Sequence, residues 1–193
     1  LDAFGETFGN AETFEKADLA NRYVPELKSF DRYGMRLNQV SFHPAYHELM
    51  GEAIAREAHS FAWNNPRLGA HVAQGALMYM CNQPEGGIMC AVPMTYAAIP
   101  TLKLTPKIGD EWIPKLLSNT YDYRDIPIHE KQGVTVGMFM TEKQGGSDVR
   151  SNSTRAIPIG LTSGEGAEYH LTGHKYFCSA PMCDAFLTLA YTQ

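Results

Sequence analysis

The apolar pattern of the chain changes period near residue 133, and that change limits the fold more than any single motif does. Up to about residue 120, apolar residues recur at three- and four-residue spacings, the repeat of one helix face, with Pro and Asn as punctuation. From Gly133 onward the runs are short, rich in β-branched and aromatic residues, and separated by glycines, which is the grammar of strands. A chain of this kind is expected to fold as α+β. An all-α N-terminal helical domain would occupy residues 1–132, and the start of an antiparallel β domain residues 133–193.

Within the helical half, "AETFEKADLANRYV" places Phe14, Ala17, Leu19 and Tyr23 near one face. "SFHPAYHELMGEAIAREAHSFAW" opens with Ser41 as the expected cap and Pro44 in the first turn, where a missing N–H costs nothing. It carries Tyr46, Leu49, Met50, Ala53, Ile54 and Ala58 at helical spacing. "RLGAHVAQGALMYMCNQ" repeats the pattern with Leu68, Val72, Ala76 and Met80, and Gly69, Ala73 and Gly75 would allow close helix contact. "IMCAVPMTYAAIPTLKL" is a third apolar helix that Pro93 and Pro100 should kink or end. A short helix follows at "DEWIPKLLSN". In the second half "GVTVGMFM", "SNSTRAIPI", "EYHLTGHKYFCS" and "DAFLTLAYT" read as strands, with Gly164 and Gly166 forming a turn and no βαβ unit.

Composition narrows the function. A hydrophobic content of 44% is too high for disorder, and 21 acidic against 16 basic residues make a poor surface for a phosphate backbone. No apolar run reaches the roughly 18 residues of a membrane span, and the N-terminus lacks the basic and apolar regions of a secretory signal. Cys81, Cys90, Cys178 and Cys183 lie in apolar settings without metal-type spacing, so reduced buried thiols and a cytoplasmic location are expected. The absent initiator Met, and an end at "FLTLAYTQ" that reads as mid-strand, suggest a piece of a longer protein.

Several chemistries have little support. His43 and His47 stand four apart, the spacing of a shared metal, but helix capping around Pro44 explains them and no third ligand is near in sequence. Ser147 lies in G-G-S-D rather than in a G-x-S-x-G elbow, and neither G-x-G-x-x-G nor a P-loop occurs. What remains is "MFMTEKQGGSDVRSN", Met138 to Asn152. Gly145 and Gly146 lack Cβ, so a large ligand can approach their backbone and successive N–H groups can face an anion. Ser147 adds a hydroxyl there, and Thr141 can offer hydroxyl and amide to a planar heteroaromatic ring. Some thirty residues later "LTGHKYFCSAP" sets a Lys, an aromatic and a Ser close together.

Together the two stretches resemble the paired flavin motifs of the acyl-CoA dehydrogenases, T-E-x-x-[AG]-G-S-D followed by G-x-K-x-[WF]-x-[TS]. Lys143 and Gln144, where ordinary members usually carry Pro and Gly, with "SFHPAYHELM" and "HKYFCS", resemble the AidB type linked to the bacterial response to DNA alkylation. The resemblance implies FAD as cofactor, held by Met138, Met140, Thr141, Gly145, Gly146, Ser147, Phe177, Cys178 and Ser179. Thr141 and the Met140 amide would meet the pyrimidine edge, Ser147 and the glycines the pyrophosphate, Phe177 the ring, and Ser179 the N5/O4 edge. It implies α,β-dehydrogenation of an acyl-CoA thioester, a homotetramer, and a Glu base in a C-terminal helical domain, so that no residue of this chain is nominated as catalytic. Any DNA contact would belong to that C-terminal region. An ordinary short- or medium-chain acyl-CoA dehydrogenase and a non-catalytic flavin- or acyl-binding regulatory protein are the alternatives. Glu142 is expected to be structural, and Glu85 lies in a turn with no evident partner.

Overall fold

A computed structural model describes residues 1–192. The helical half contains α1 (Asp2–Phe8), α2 (Ala11–Arg22), α3 (Pro44–Ala55), α4 (Phe61–Asn64), α5 (Ala70–Cys81), α6 (Ala91–Leu102) and α7 (Pro106–Leu116). It also contains a hairpin, β1 (Glu26–Phe30) paired antiparallel with β2 (Arg36–Ser41), which corrects the all-helical expectation. Asp31 makes the turn by accepting from the amides of Tyr33 and Met35, an Asx turn. Ser41 therefore ends a strand, and the cap of α3 is His43, whose Nδ1 accepts from Ala45 N at 3.2 Å.

The expected face of α3 is the buried one: Tyr46, Leu49, Met50, Ala53 and Ile54 join Phe4, Phe8, Leu77, Ile88 and Val92 in the larger apolar cluster. Burying each such large side chain contributes roughly 1.5–3 kcal/mol. Elsewhere the expected phase is wrong. In α5 the inward residues are Ala70, Gln74, Leu77 and Cys81, while Leu68 and Val72 are exposed. In α2 they are Thr13 and Ala17, with Phe14, Leu19 and Tyr23 outside. A Cβ at Gly75 would meet nothing within 4 Å, so Gly75 makes no close helix contact, and Gly69 is needed instead for its left-handed φ of 80° at the start of α5.

The prolines do not break α6. Pro93 lies in its first turn, where N–H groups have no helical partner, and Pro100 lies in its last. The Tyr96 carbonyl that Pro100 leaves unbonded accepts instead from Trp63 Nε1 at 3.0 Å. Glu85 does have partners: its carboxylate accepts from Gly87 N and Ile88 N and so organises the turn leading into α6.

The second half carries β3 (Val136–Phe139), β4 (Arg155–Pro158), β5 (Tyr169–Thr172), β6 (Ala185–Thr188) and β7 (Tyr191–Thr192). The expected antiparallel pairing holds for β4 with β5, but β3–β6 and β4–β7 are parallel. The reason is the long excursion between β3 and β6, which returns the chain in the same direction. Gly164 and Gly166 form the expected turn, both at positive φ. Val134 and Val136 pack with Ala98, Ile99, Leu102 and Leu116 of α6 and α7, and Ala180 and Cys183 enter the larger helical cluster. The buried ion pair of Lys131 with Asp184, whose second oxygen accepts from Thr135 N at 2.8 Å, ties the entries of β3 and β6 together. All four cysteines are free thiols, and burial pushes Cys81 and Cys183 up to about 12, which leaves them unreactive.

His59 is 2% exposed; its Nε2 faces the Ser118 carbonyl at 3.1 Å and its Nδ1 has no partner. Burial pushes this imidazole down to about 4 from 6.5. The unfolded chain binds the proton first, so stability is unaffected above about pH 6.5 and falls between pH 6.5 and 4, by about 3 kcal/mol in all. The melting temperature of the wild-type protein is therefore expected to drop more steeply over that window than that of His59→Gln; parallel curves would overturn this.

Candidate functional site

The site begins where β3 ends. Beyond Phe139 the chain leaves the sheet, and Glu142 turns its side chain inward, with only 2% of the residue exposed. Its Oε2 accepts from Ser153 N at 2.7 Å and Ser153 Oγ at 2.8 Å; its Oε1 accepts from Thr154 N at 2.9 Å, from the Thr154 hydroxyl, and from Lys175 Nζ at 3.1 Å. Bonds from the Thr154 hydroxyl and the Ser153 amide, the two largest causes, hold this carboxyl well below the usual carboxylate range. Backbone pairing follows the same line: Glu142 bridges both Gly145 and Lys175, and Tyr176 N donates to Thr141 O at 3.0 Å.

One carboxylate thus joins three segments that are far apart in sequence. The first is the loop carrying Met140, Thr141, Gly145, Gly146 and Ser147. Gly145 has a φ of 131°, which a residue with Cβ rarely adopts, and a Cβ at Gly146 would stand 2.7 Å from Thr141 Oγ1. Gln144 Nε2 donates to Asn152 Oδ1 at 2.9 Å, and Asn152 Nδ2 donates to Met140 O at 2.8 Å, so the loop is pinned at both flanks. The second segment is Ser153–Thr154, leading into β4. The third runs from Gly173 to Pro181. It is not the strand expected: β5 stops at Thr172, and Phe177 and Ala180 adopt left-handed φ of 61° and 55°. That turn lifts Phe177 out of the core, 77% exposed, with Ser179 N donating to Phe177 O at 3.2 Å. Cys178 is half-buried, and burial raises its thiol, opposed by the charge of Lys175.

The structure brings Thr141 and its glycine loop within backbone reach of the Lys175–Ser179 segment. Met138 stays in the sheet, where its amide approaches Met94 Sδ at 3.2 Å. The hydroxyls of Thr141, Ser147 and Ser179 hold no hydrogen bond among the described residues, and the amides of Gly146 and Ser147 make no backbone bond there. Unspent hydroxyl and amide donors on a glycine loop, beside an exposed aromatic ring, are a donor set that fits a flavin dinucleotide, with donors for phosphate and ring edge and a flat surface for stacking. His43 and His47 are occupied otherwise. His47 Nδ1 lies 3.0 Å from Tyr121 OH, and its ring stacks on Tyr123 at 4.3 Å. Sequence reasoning missed Asn152, Ser153 and Thr154. Their signal was present, a run of small hydrogen-bonding residues after a loop with a lone Glu, but it was read as the first residues of a strand.

Residues 1–123 match the family described as the adaptive response protein AidB N-terminal domain. Over 194 aligned residues the chain is 44% identical to "Putative acyl-CoA dehydrogenase AidB" of Escherichia coli (strain K12), covering 100% of this chain and 35% of that protein. It is 28% identical to "Acyl-CoA dehydrogenase family member 11" of Caenorhabditis elegans, over 95% of this chain and 29% of that one. Among solved structures, "Bd2924 apo-form" superposes with a TM-score of 0.83 at 28% identity, covering 97% of this chain and 37% of its own. Caenorhabditis elegans ACDH-11 in complex with C11-CoA superposes with a TM-score of 0.79 at 26% identity, covering 94% and 30%. The fold is that of these two structures, and the chain spans about a third of the length of the curated relatives it matches.

Glycine geometry separates site from surface. A Cβ at Gly173 would stand 2.2 Å from Thr154 Oγ1 and 2.8 Å from Thr154 Cα, so Gly173→Ala is expected to destabilise by about 1–3 kcal/mol through forced movement of the Glu142 cluster. Gly75→Ala, on an exposed helical position with open space, is expected to stabilise by about 0.5–1 kcal/mol. Urea unfolding of both variants checks the pair; equal effects would sink the assignment.

Proposed function

The chain belongs to the AidB N-terminal domain family, and from that premise we propose that it forms the N-terminal and partial middle-domain portion of an FAD-dependent flavoprotein of acyl-CoA dehydrogenase type. The observation that carries the proposal is the Glu142–Lys175 contact, which clamps the Thr141–Ser147 loop to the Phe177–Ser179 turn and leaves their donors and ring unspent. In this reading the division between the domains falls at about residues 132 and 133. The location is cytoplasmic, the assembly is a homotetramer, and any DNA contact lies outside this acidic chain.

FAD, when bound, supplies the hydride acceptor for α,β-dehydrogenation of an acyl-CoA thioester. The residues of this chain hold and orient it. Thr141, with the Met140 amide and Met138 behind it in β3, meets the pyrimidine edge. Gly146 and Ser147 present amides and a hydroxyl to the pyrophosphate, while Gly145, whose own amide donates to Glu142 O at 3.0 Å, shapes the loop through its positive φ. Phe177 covers the ring, and Cys178 and Ser179 line the N5/O4 edge, where preorganised donors stabilise the charge that reduction places there. Neither of the two buried glutamates has the freedom of a base: Glu142 is saturated by five donors, and Glu85 is engaged by two amides and Asn21. The acyl-CoA ligand is supported by the worm relative, whose structure holds C11-CoA.

Purified full-length protein is expected to be yellow, with a visible flavin absorbance band; a colourless preparation that takes up no added FAD would overturn the cofactor assignment. Residues 1–193 alone are expected to dehydrogenate no acyl-CoA, and turnover by that piece would show that the base lies within it.

A further inference from the structure

Glu85 borders a cavity of about 300 Å³ whose walls include Tyr23, Phe42, Tyr46, Cys90 and Pro181. At ~30 Å³ for each water-sized group, that is room for about ten such groups. Glu85 itself is 3% exposed. Its carboxylate is held only by neutral donors: Gly87 N at 2.7 Å, Ile88 N at 2.6 Å and Asn21 Nδ2 at 3.3 Å. Among the described residues no lysine, arginine or histidine forms an ion pair with it. A turn of this kind needs an acceptor oxygen, not a charge, and Asn, Ser or Asp would cap it as well. A buried anion without a countercharge is destabilising, and here the charge is felt around it, since Glu85 adds to the burial that raises the Tyr46 hydroxyl and the Cys81 thiol. The other walls are mostly aromatic and apolar, the polar exceptions being Asn21, already bonded to Glu85, and His43, whose Nδ1 is taken by the Ala45 amide; the Phe42 and Tyr46 rings stack 4.4 Å apart.

We propose that this cavity binds an organic ammonium ligand, with its positive nitrogen on Glu85 and its hydrocarbon part against Phe42, Tyr46 and Pro181. The cavity is built by the helical half and residues 180–181, so the site does not depend on the flavin reading. A protonated amine supplies the missing countercharge and donors to the remaining carboxylate lone pair, while its alkyl part displaces water from the apolar walls.

Calorimetric titration of the full-length protein at pH 7 with hexylammonium and with hexan-1-ol, which share a hydrocarbon tail, separates charge recognition from apolar filling. Hexylammonium is expected to bind at least about tenfold more tightly, the scale of one charge-assisted contact. Glu85→Gln keeps an acceptor for the turn and is expected to bring the two affinities together with hexanol unchanged. Val24→Trp narrows the cavity from its exposed wall without touching Glu85 and is expected to weaken both probes. The proposal is overturned by equal affinities in the unaltered protein, by no binding of either probe, by a preference that persists in Glu85→Gln, or by affinities that Val24→Trp leaves unchanged. Should Glu85→Gln fail to fold, the wild-type preference and the Val24→Trp result decide. Repeating the titration with and without FAD shows whether a failure belongs to this cavity or to the cofactor assignment.

Discussion

The carboxylate of Glu142 is the constraint on which the β half rests. It accepts five hydrogen bonds, two from backbone amides, two from hydroxyls and one from an ammonium group, and every donor lies outside its own loop. A buried carboxylate is costly unless its lone pairs are filled, so removing any donor exposes the remaining charge to that cost. The segments that meet at Glu142 are short and irregular and bury few apolar side chains, so its bonds to Thr154 and Lys175 are what hold them against the loop. Polar bonding does here what apolar burial does in the helical half.

The two halves are joined by a different device. Residues 180 and 183 enter the helical core as small side chains, and Lys131 meets Asp184 where β3 and β6 begin. The motif segment from Gly173 to Pro181 is therefore fixed at both ends, by Glu142 near its start and by helical packing at its finish. Between these anchors the backbone passes through left-handed φ at Phe177 and Ala180. Such strain persists only where the surroundings over-determine it, and its effect here is to turn an aromatic ring outward beside the glycine loop. Fold and site thus share a cause, since the packing that ends the segment also presents its ring.

How much of this was legible in the sequence depended on which force decides each element. The α3 face was readable because burial alone sets it: Tyr46, Leu49, Met50, Ala53 and Ile54 lie one or two helical turns apart and all point inward. The α5 face was misjudged because Gln74 is buried, with its side-chain oxygen accepting from Ala62 N at 3.1 Å, and a polar residue at the centre of the inward stripe hides its phase. The hairpin at 26–41 was missed because its apolar residues are largely exposed, so it shows no burial alternation to detect. The loop motif was legible through glycine, whose positions follow local sterics. Its partners at Asn152, Ser153 and Thr154 were not, because a hydrogen bond to a residue eleven or twelve positions away leaves no period in the sequence.

The departures at Lys143 and Gln144 can now be weighed physically. A proline at the first position would stiffen the loop by fixing φ, and the chain gives that up. In exchange, Gln144 bonds to Asn152, which in turn bonds to the Met140 carbonyl, so a side-chain relay spans the same loop from 140 to 152. The relay holds the loop without fixing any single dihedral, and it uses donors and acceptors other than those that Glu142 engages. Lys143 stays exposed and takes no part in either contact. Hydrogen-bonded rigidity therefore stands where a proline would give covalent rigidity, and the Lys143 ammonium makes no ion pair among the described residues.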